Sequence, residues 1–332
     1  MCVHLLHSTL RRPDNWCEIA TVTIDMLPDL ALLEIFHFYR QKLRTWQTLV
    51  HVCQKWRNIV FGSPRRLDLR LDCGVRIPVR ETLDVWPPPL PISISVYDSE
   101  KLEDNIAAAL EHNDRVSELL FSFFPSTEIQ TVLATMQKPF PALTRLELLL
   151  RVMHKGDSFL PALFLGGSAP QLRTLILFCI PFPGSTNLLL SATQLVHLKL
   201  LQIPRSGYLS PEEMLTCLSV LTWLESLDIQ FKSAESYADQ NSPHPALQRR
   251  ILLPVLAELE FSGGTEYLEV LVARIDAPLL DKLDITFFHE QTFDTPQLFQ
   301  FIGRIPKFNS VDEAHVSLAY YQVLIRLPQP FI

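Results

Sequence analysis

Three kinds of residue groups in this sequence have side-chain types and spacings that could do chemistry. Cysteines and histidines near the N-terminus could ligate zinc, carboxylates in the C-terminal half could act as a general acid and base, and two glycine-rich turns could bind phosphate. These groups are Cys2, His4, His7 and Cys17; Glu258, Glu260, Asp281 and Asp284; Gly166-Gly167-Ser168; and Gly263-Gly264-Thr265.

Each group also has a simpler structural explanation. The N-terminal segment has no periodicity that would fix four zinc ligands in a tetrahedron. The carboxylates lie between apolar residues, as on the solvated face of strands, and the glycines suit tight turns. The chain contains no GxSxG, HExxH, GxxxxGK[ST] or GxGxxG motif. We therefore expect no enzyme, no catalytic residues, no bound metal and no cofactor, although an active site without a motif is an alternative.

The composition of the chain limits the classes of partner and the cellular compartment that we expect. The chain has 332 residues and a formal net charge of -7, which disfavours nucleic-acid binding because that needs a basic surface. No apolar run reaches the roughly 18 residues that cross a bilayer, so we expect no membrane association. Six cysteines without a CxxC pair or a signal peptide indicate reduced thiols and a cytoplasmic or nuclear protein.

One phrase recurs along most of the chain and predicts its architecture. An apolar residue, two spacers, an apolar residue, one spacer and another apolar residue return every 23 to 32 residues. A period of this length is typical of a solenoid, in which each unit buries its flanks against its neighbours. The phrases are Leu143–Leu148, Leu172–Leu177, Leu195–Leu200, Leu224–Ile229, Leu256–Phe261 and Leu280–Ile285.

The segments between these phrases predict turns and helices. Proline stands two residues before the first apolar position of several units and should end the return segment there. Ser210-Pro211-Glu212-Glu213 predicts a capped helix N-terminus, and Thr295-Pro296 should open a helix in the same way. With further strands at 67–71, 92–96, 119–121 and 311–316, we expect an α/β solenoid of about ten parallel strands.

The N-terminal part has a different pattern. Residues 1–24 have no clear periodicity and predict a loose leader, whereas residues 25–64 predict three short helices that end at Gly62-Ser63-Pro64. About 40 residues cannot bury so rich an apolar face by themselves, so the helices must pack on another surface. Residues 65–332 form the predicted solenoid.

The order of residues in the helical part resembles the F-box of fungal F-box proteins. The features that carry the resemblance are Leu27-Pro28, then Leu32, Leu33, Ile35 and Phe36, then Leu49, Val52 and Cys53, and finally Trp56. The repeats that follow are similar to the leucine-rich repeats of one class of F-box proteins. The resemblance therefore covers nearly the whole chain after its first two dozen residues.

This resemblance implies a substrate receptor of an SCF-type cullin–RING ubiquitin ligase. The F-box would bind a Skp-family adaptor, and through it a cullin, while the repeats form an irregular horseshoe that holds an unknown target protein. The adaptor-binding residues would be Leu27, Pro28, Leu32, Ile35, Phe36, Leu49, Val52, Cys53 and Trp56. Two alternatives stay open: these residues form an internal core, or the chain is a repeat scaffold that is unrelated to ubiquitination.

Two departures from the family pattern stand out. Leu30 occupies a position where many F-boxes have an acidic residue. The repeats lack the Asn or Cys that usually follows the strand, because Arg151, Ile180, Ile203, Lys232, Gly264 and Phe288 stand there. We therefore expect irregular turns after the strands and one poorly formed unit around Lys232–Leu252.

The residues between the buried positions of each phrase predict a target-binding face. Side chains alternate along a strand, so these residues should lie together on the exposed face of the sheet. Its middle would be apolar and its C-terminal third acidic, which suits a protein segment with hydrophobic and basic residues. The candidates are Leu149, Ile176, Phe178, Leu201, Asp228, Glu260 and Asp284. Alternatively, loops cover the face or the register is shifted by one residue.

Overall fold

The computed structural model describes residues 24–39, 45–63, 67, 71–72, 79–85, 90–97, 103–124, 132–150, 160–161, 163–181, 186–233, 250–288, 295–308, 315–319 and 322–327. The chain divides into two compact units, Met1–Leu69 and Arg70–Ile332. The predicted leader lies outside the described residues except for its last residue, and with it Cys2, His4, His7 and Cys17. Most of the predicted irregular unit, residues 234–249, also lies outside them.

The first unit contains three short helices, in agreement with the helical spacing of its apolar residues. They are α1 (Asp29–Tyr39), α2 (Thr45–Val50) and α3 (Gln54–Gly62), preceded by a 3-10 turn at Ile24–Met26. Phe36 on α1 packs on Trp56 of α3 with 4.8 Å between the ring centroids. Arg57 Nε donates a hydrogen bond to Val50 O at 3.0 Å and fixes the junction between α2 and α3.

The second unit is an α/β structure built on one open, mostly parallel sheet. Within the described residues the sheet has eleven strands in the order β1-β2-β3-β4-β5-β6-β7-β9-β11-β13-β12. Strands β1 to β7, β9 and β11 are parallel and follow chain order without reversal. Two further short strands, β8 and β10, pair parallel in a separate two-stranded sheet. The thirteen strands among the described residues are β1 (Leu71–Asp72), β2 (Ile92–Tyr97), β3 (Val116–Phe124), β4 (Arg145–Leu150), β5 (Thr174–Phe178), β6 (His197–Ile203), β7 (Ser226–Phe231), β8 (Ile251–Leu252), β9 (Glu258–Gly263), β10 (Ile275–Asp276), β11 (Lys282–Phe288), β12 (His315–Ala319) and β13 (Gln322–Leu327).

The C-terminal end of the sheet differs from the prediction. Residues 311–314 of the expected parallel strand at 311–316 lie outside the described residues. Its last two residues belong to β12, which pairs antiparallel with β13, and β13 pairs antiparallel with β11. Only two residues separate β12 from β13. So short a connection permits a hairpin, whereas a parallel pair needs a crossover of a dozen or more residues.

The same type of four-residue turn precedes successive strands. Its fourth residue donates its amide to the carbonyl of the first, and proline occupies the second position in five cases. Proline suits this position because its ring fixes φ and its missing N–H is not needed there. The described turns of this kind are 140–143, 169–172, 192–195, 221–224, 253–256, 277–280 and 305–308.

A ladder of backbone hydrogen bonds joins each unit to the one before it. Just after each turn, one amide donates to the carbonyl at the equivalent position of the preceding unit. Each of these bonds is 2.8 Å long, and together they extend the sheet past the first residue of each strand. The donors are the amides of Thr144, Arg173, Val196, Glu225, Ala257 and Asp281.

Helices return the chain between strands. Those of the second unit are α4 (Val79–Val85), α5 (Glu103–Leu110), α6 (Asn187–Ser191), α7 (Pro211–Leu218), α8 (Thr265–Ala273) and α9 (Pro296–Gly303), with 3-10 turns at Phe164–Gly167 and Arg205–Gly207 and a helical turn at 132–135. The predicted capping box of α7 is confirmed. Glu213 N donates to Ser210 Oγ at 3.2 Å, and Ser210 N donates to Glu213 Oε2 at 2.8 Å. No helix among the described residues is both long enough and apolar enough to span a bilayer.

Helix α9 begins where the sequence predicts, but Thr295 does not cap it. The Thr295 side chain makes no capping hydrogen bond. Instead Glu269 on α8 accepts the amides of Gln297 and Leu298, both at 2.9 Å. A carboxylate is also favoured at a helix N-terminus by the helix dipole. The cap therefore comes from the preceding unit and ties neighbouring helices together.

The two faces of the sheet differ in burial. One face carries the apolar residues of each phrase and is almost fully buried, as at Leu146 and Leu148. The residues at the alternating positions form the other face, which we call the open face. Its side chains are partly exposed from β3 to β11, apart from individual side chains that are buried. At the end of the buried face, the rings of Phe231, Phe261 and Tyr267 form one aromatic cluster.

Gly263 is required by this aromatic cluster. A Cβ at this position would lie 2.7 Å from Phe231 Cδ2 and 2.7 Å from Phe261 Cζ, and both rings are buried. We predict that Gly263→Ala lowers the free energy of unfolding by about 1–3 kcal/mol through overpacking. Gly303→Ala is the matched control, since an added Cβ there meets nothing within 4 Å. Urea unfolding compares the two variants, and equal stability would contradict this packing.

Candidate protein-interaction surfaces

Two of the predicted adaptor-binding residues are strongly exposed. Ile35 on α1 has an exposed fraction of 44%, and Val52, just after α2, has one of 54%. Pro28 is also exposed, and Leu27 and Cys53 are partly exposed. Lys55 Nζ donates to Leu27 O at 3.0 Å and lies 3.5 Å from Asp29 Oδ1, which fixes the start of α1 against α3.

Three other predicted adaptor-binding residues lie in the interior, which corrects their assignment. Leu32, Phe36 and Leu49 have exposed fractions of 0%, 1% and 6%. Leu32 and Phe36 are four residues apart, so they share the inward face of α1. Trp56 is partly exposed, and its ring packs on Phe36. In this arrangement the three buried side chains hold the helices together and present no surface to a partner.

The first unit also exposes apolar residues that the sequence analysis did not assign to a surface. Met26, Leu30 and Phe38 have exposed fractions of 64%, 71% and 75%. Leu30 and Phe38 lie on the outer side of α1, roughly opposite Leu32 and Phe36. Helical geometry alone could have found them, because residues one or two positions from an inward residue turn outward.

The predicted apolar residues of the open face are adjacent in the structure. Strand register pairs Leu149 on β4 with Phe178 on β5, and Phe178 with Leu201 on β6. Ile176 is two residues before Phe178 and shares its face. All four side chains are partly exposed. They form what we call the apolar patch, and the predicted register is confirmed.

Acidic residues follow the apolar patch along the sheet. Register aligns Asp228 on β7 with Glu260 on β9, and Glu260 with Asp284 on β11. Glu260 and Asp284 are partly exposed, and both accept from Lys282, whose Nζ is 3.4 Å from Asp284 Oδ2. These contacts, the hydrogen bond to Glu260 first, raise the pKa of Lys282.

Asp228 differs from the prediction because it is covered. It faces the open side by register, yet its exposed fraction is only 3%. Gln230 Nε2 donates to its Oδ1 at 3.0 Å. Burial, and then the charge of Glu260, raise the pKa of Asp228 to about 6, against smaller opposing effects of Gln230, Lys199 and Lys282. Asp228 therefore contributes charge to the open face but little contact area.

The carboxylates and glycine-rich turns that the sequence offered as possible catalytic or phosphate-binding groups make structural contacts. Asp281 forms an ion pair with Lys307, and Glu258 accepts from Ser226 Oγ at 3.2 Å. The turn at Gly166 packs on Pro139, whose Cγ would lie 2.9 Å from an added Cβ. Among the described residues, no three His, Cys, Asp or Glu side chains are arranged to hold a metal ion. The described cysteines, Cys53, Cys179 and Cys217, are free thiols.

One shallow pocket of about 260 Å³ lies beside β10. Arg304 lines it, but its guanidinium is committed to structural contacts, with Nε 3.0 Å from Asp276 Oδ1 and Nη2 bonded to Val272 O and Ile275 O. The remaining lining is mostly apolar, including Leu252 and Phe301. The pocket does not bring together a nucleophile and a base.

No protein-family model matches the chain, and no curated protein matches it significantly. The resemblance to F-box and leucine-rich-repeat proteins therefore rests on the residues named in the sequence analysis alone.

The buried carboxylate of Asp228 gives a pH-dependent prediction. The pKa of Asp228 is about 6 in the folded protein and near 3.8 as its ordinary value, so the folded state holds the proton more tightly. Asp228 then destabilises the fold progressively as pH rises from about 4 to 6, and fully above 6. We predict that Asp228→Asn raises the free energy of unfolding at pH 8 by about 3 kcal/mol but has little effect at pH 4.

Urea unfolding at several pH values measures this difference. Asp284→Asn is the control, because it removes a partly exposed contact with Lys282 and should bring no gain at pH 8. A gain for Asp228→Asn that is the same at pH 4 and pH 8 would show that burial of the charge is not its cause.

Proposed function

We propose that this chain is a substrate receptor of an SCF-type cullin–RING ubiquitin ligase. The three N-terminal helices bind a Skp-family adaptor, which links the chain to a cullin, and the sheet unit binds a target protein. The observation that carries this proposal is the exposure of Ile35 and Val52, at two positions that the F-box resemblance assigns to the adaptor.

The energetics of the helical unit support a bound partner. Burying an Ile or Val side chain that is now in water is worth roughly 1.5–3 kcal/mol when burial is complete. A few such anchors carry most of the free energy of a typical protein interface. Ile35 and Val52, together with Pro28, are apolar side chains of a small helical unit that lie exposed to water in the free chain.

The arrangement of the sheet supports a leucine-rich-repeat-like solenoid as the target-binding part. Nine parallel strands keep chain order among the described residues, whereas a doubly wound sheet reverses its order at a switch point. The repeated turn and the 2.8 Å ladder are the same from unit to unit. A stack of this kind leaves one sheet face open, and it needs no catalytic residues to hold a target for ubiquitin transfer.

A second candidate function keeps the target-binding sheet but replaces the adaptor. Leu30 and Phe38 are more exposed than Ile35, and the F-box pattern assigns no adaptor contact to either. Leu30 also stands where many F-boxes have an acidic residue. These two side chains favour a repeat scaffold whose helices bind some other apolar surface.

Substitution of the two anchors tests the proposal. We predict that Ile35→Asp or Val52→Asp weakens binding to a purified Skp-family adaptor more than tenfold, because a carboxylate would have to be desolvated at the interface. Isothermal titration of the full chain measures the affinity.

The matched control is Leu279→Asp, the same kind of change at an exposed apolar residue of the sheet unit (exposed fraction 62%). It should bind the adaptor like the unchanged chain. If Ile35→Asp and Val52→Asp also bind normally while Leu30→Asp or Phe38→Asp does not, the F-box assignment is wrong and the scaffold function is favoured. Circular dichroism confirms that each variant is folded.

A further inference from the structure

The pocket beside β10 combines an apolar inner wall with charged side chains. Three of its lining residues, Ala277, Phe301 and Ile305, are apolar and almost fully buried, so they form its inner wall. Leu252 on β8 also lines the pocket, and its exposed fraction is 56%. An apolar group that entered the pocket would therefore leave water for apolar contacts, which is favourable.

The lining of the pocket has an excess of positive charge. Two arginines, Arg250 and Arg304, line it together with a single carboxylate, that of Asp276. Arg304 forms an ion pair with Asp276, with 3.0 Å between Nε and Oδ1. The guanidinium of Arg250 is exposed and makes no hydrogen bond or ion pair with the described part of the chain. Its positive charge is thus available to a ligand.

Strand pairing places a third arginine beside Arg250. Ile251 of β8 pairs with Ile275 of β10, and Ile251 N donates to Arg274 O at 2.8 Å. Arg250 and Arg274 directly precede these paired residues, so they are neighbours on adjacent strands. Arg274 Nη1 is buried and has no hydrogen-bond acceptor among the described residues. Like charges on neighbouring strands repel, and a bound anion would reduce that repulsion.

The volume and the charge of the pocket together indicate the ligand. Its volume of about 260 Å³ is below the roughly 300–1,000 Å³ of sites for drug-sized ligands, so it suits a group of one or two amino-acid residues. A guanidinium matches the planar shape of a carboxylate and can donate two hydrogen bonds to it. The buried wall at Phe301 and Ile305 favours an apolar group next to that carboxylate.

We propose that this pocket binds a carboxylate that is joined to an apolar group of about the size of a leucine side chain. Arg250 holds the carboxylate, and the apolar group packs between Leu252 and Phe301. Two sources offer this chemistry, a free apolar acid and the C-terminal residue of a peptide chain. The site uses none of the residues assigned to the adaptor or to the open face, so the inference goes beyond the proposed function.

Three small probes test the two parts of the ligand. N-acetyl-leucine has both the carboxylate and the apolar group, N-acetyl-leucinamide lacks the charge, and N-acetylglycine lacks the apolar side chain. Ligand-observed nuclear magnetic resonance with the full chain measures each Kd at low and high salt.

N-acetyl-leucine should bind at least tenfold more tightly than either of the other two probes. Its advantage over the amide should shrink in high salt, because the exposed charge of Arg250 is screened. Equal affinity of the acid and the amide, equal affinity of N-acetylglycine, or no binding of any probe would each overturn the proposal.

Variants locate the two contacts in the pocket. Arg250→Gln should weaken N-acetyl-leucine at least tenfold and leave N-acetyl-leucinamide unchanged, whereas Leu252→Ser should weaken N-acetyl-leucine but not N-acetylglycine. Arg173→Gln changes an exposed arginine just before β5 and is the matched control, which should change nothing. Circular dichroism confirms that each variant is folded. An unchanged Kd of N-acetyl-leucine in Arg250→Gln would overturn the proposal.

A pair of peptides distinguishes the two sources of the ligand. The peptide Gly-Ser-Gly-Ser-Leu is prepared with a free C-terminal carboxylate and as its C-terminal amide. If the free-carboxylate peptide binds at least as tightly as N-acetyl-leucine, the site accepts the end of a peptide chain. If it binds more weakly, the site is assigned to a free acid. Equal affinity of the two peptides would contradict the role of Arg250.

Discussion

The stacking of one strand on the preceding one is the constraint on which the rest of this structure depends. Six strands, β4 to β7, β9 and β11, follow a four-residue turn whose last residue is a fully buried leucine, and the next amide donates to the preceding unit at 2.8 Å. A buried backbone donor without a partner is costly, so each unit is stable only where its predecessor supplies the carbonyl. The same dependence extends to the helices, since Glu269 of one unit caps the helix of the next. Order and direction of the strands follow from this contact.

The two surfaces of the protein follow from how each unit buries its apolar residues. In the sheet unit, side chains alternate along each strand, so one set is buried and the other lies on the open face, which carries the apolar patch and the carboxylates Asp228, Glu260 and Asp284. In the helical unit, Leu32 and Phe36 fill the interior of three helices that are too short to cover Ile35 and Val52. Each of the two units therefore exposes apolar side chains among its described residues.

The sequence predicted the parts of the fold that depend on local periodicity. The strand phrases, the register of Leu149, Phe178 and Leu201 on the open face, and the capping box at Ser210 could be predicted because alternation and capping chemistry are local. The antiparallel end of the sheet could not, because strand direction there depends on a two-residue connection between β12 and β13 rather than on apolar spacing. The burial of Asp228 could not be predicted from the sequence either, because the burial of a side chain on the open face depends on the neighbouring strands.

Hydrogen–deuterium exchange of the full chain, with and without a purified Skp-family adaptor, tests the central claim most directly. Exchange reports which backbone amides a partner protects. The account predicts slower exchange in residues 27–36 and 49–56 when the adaptor is present, and unchanged exchange in β4 to β11. Protection that appears only in the sheet strands, or no protection anywhere, would contradict the claim that the helical unit is the site where the adaptor binds.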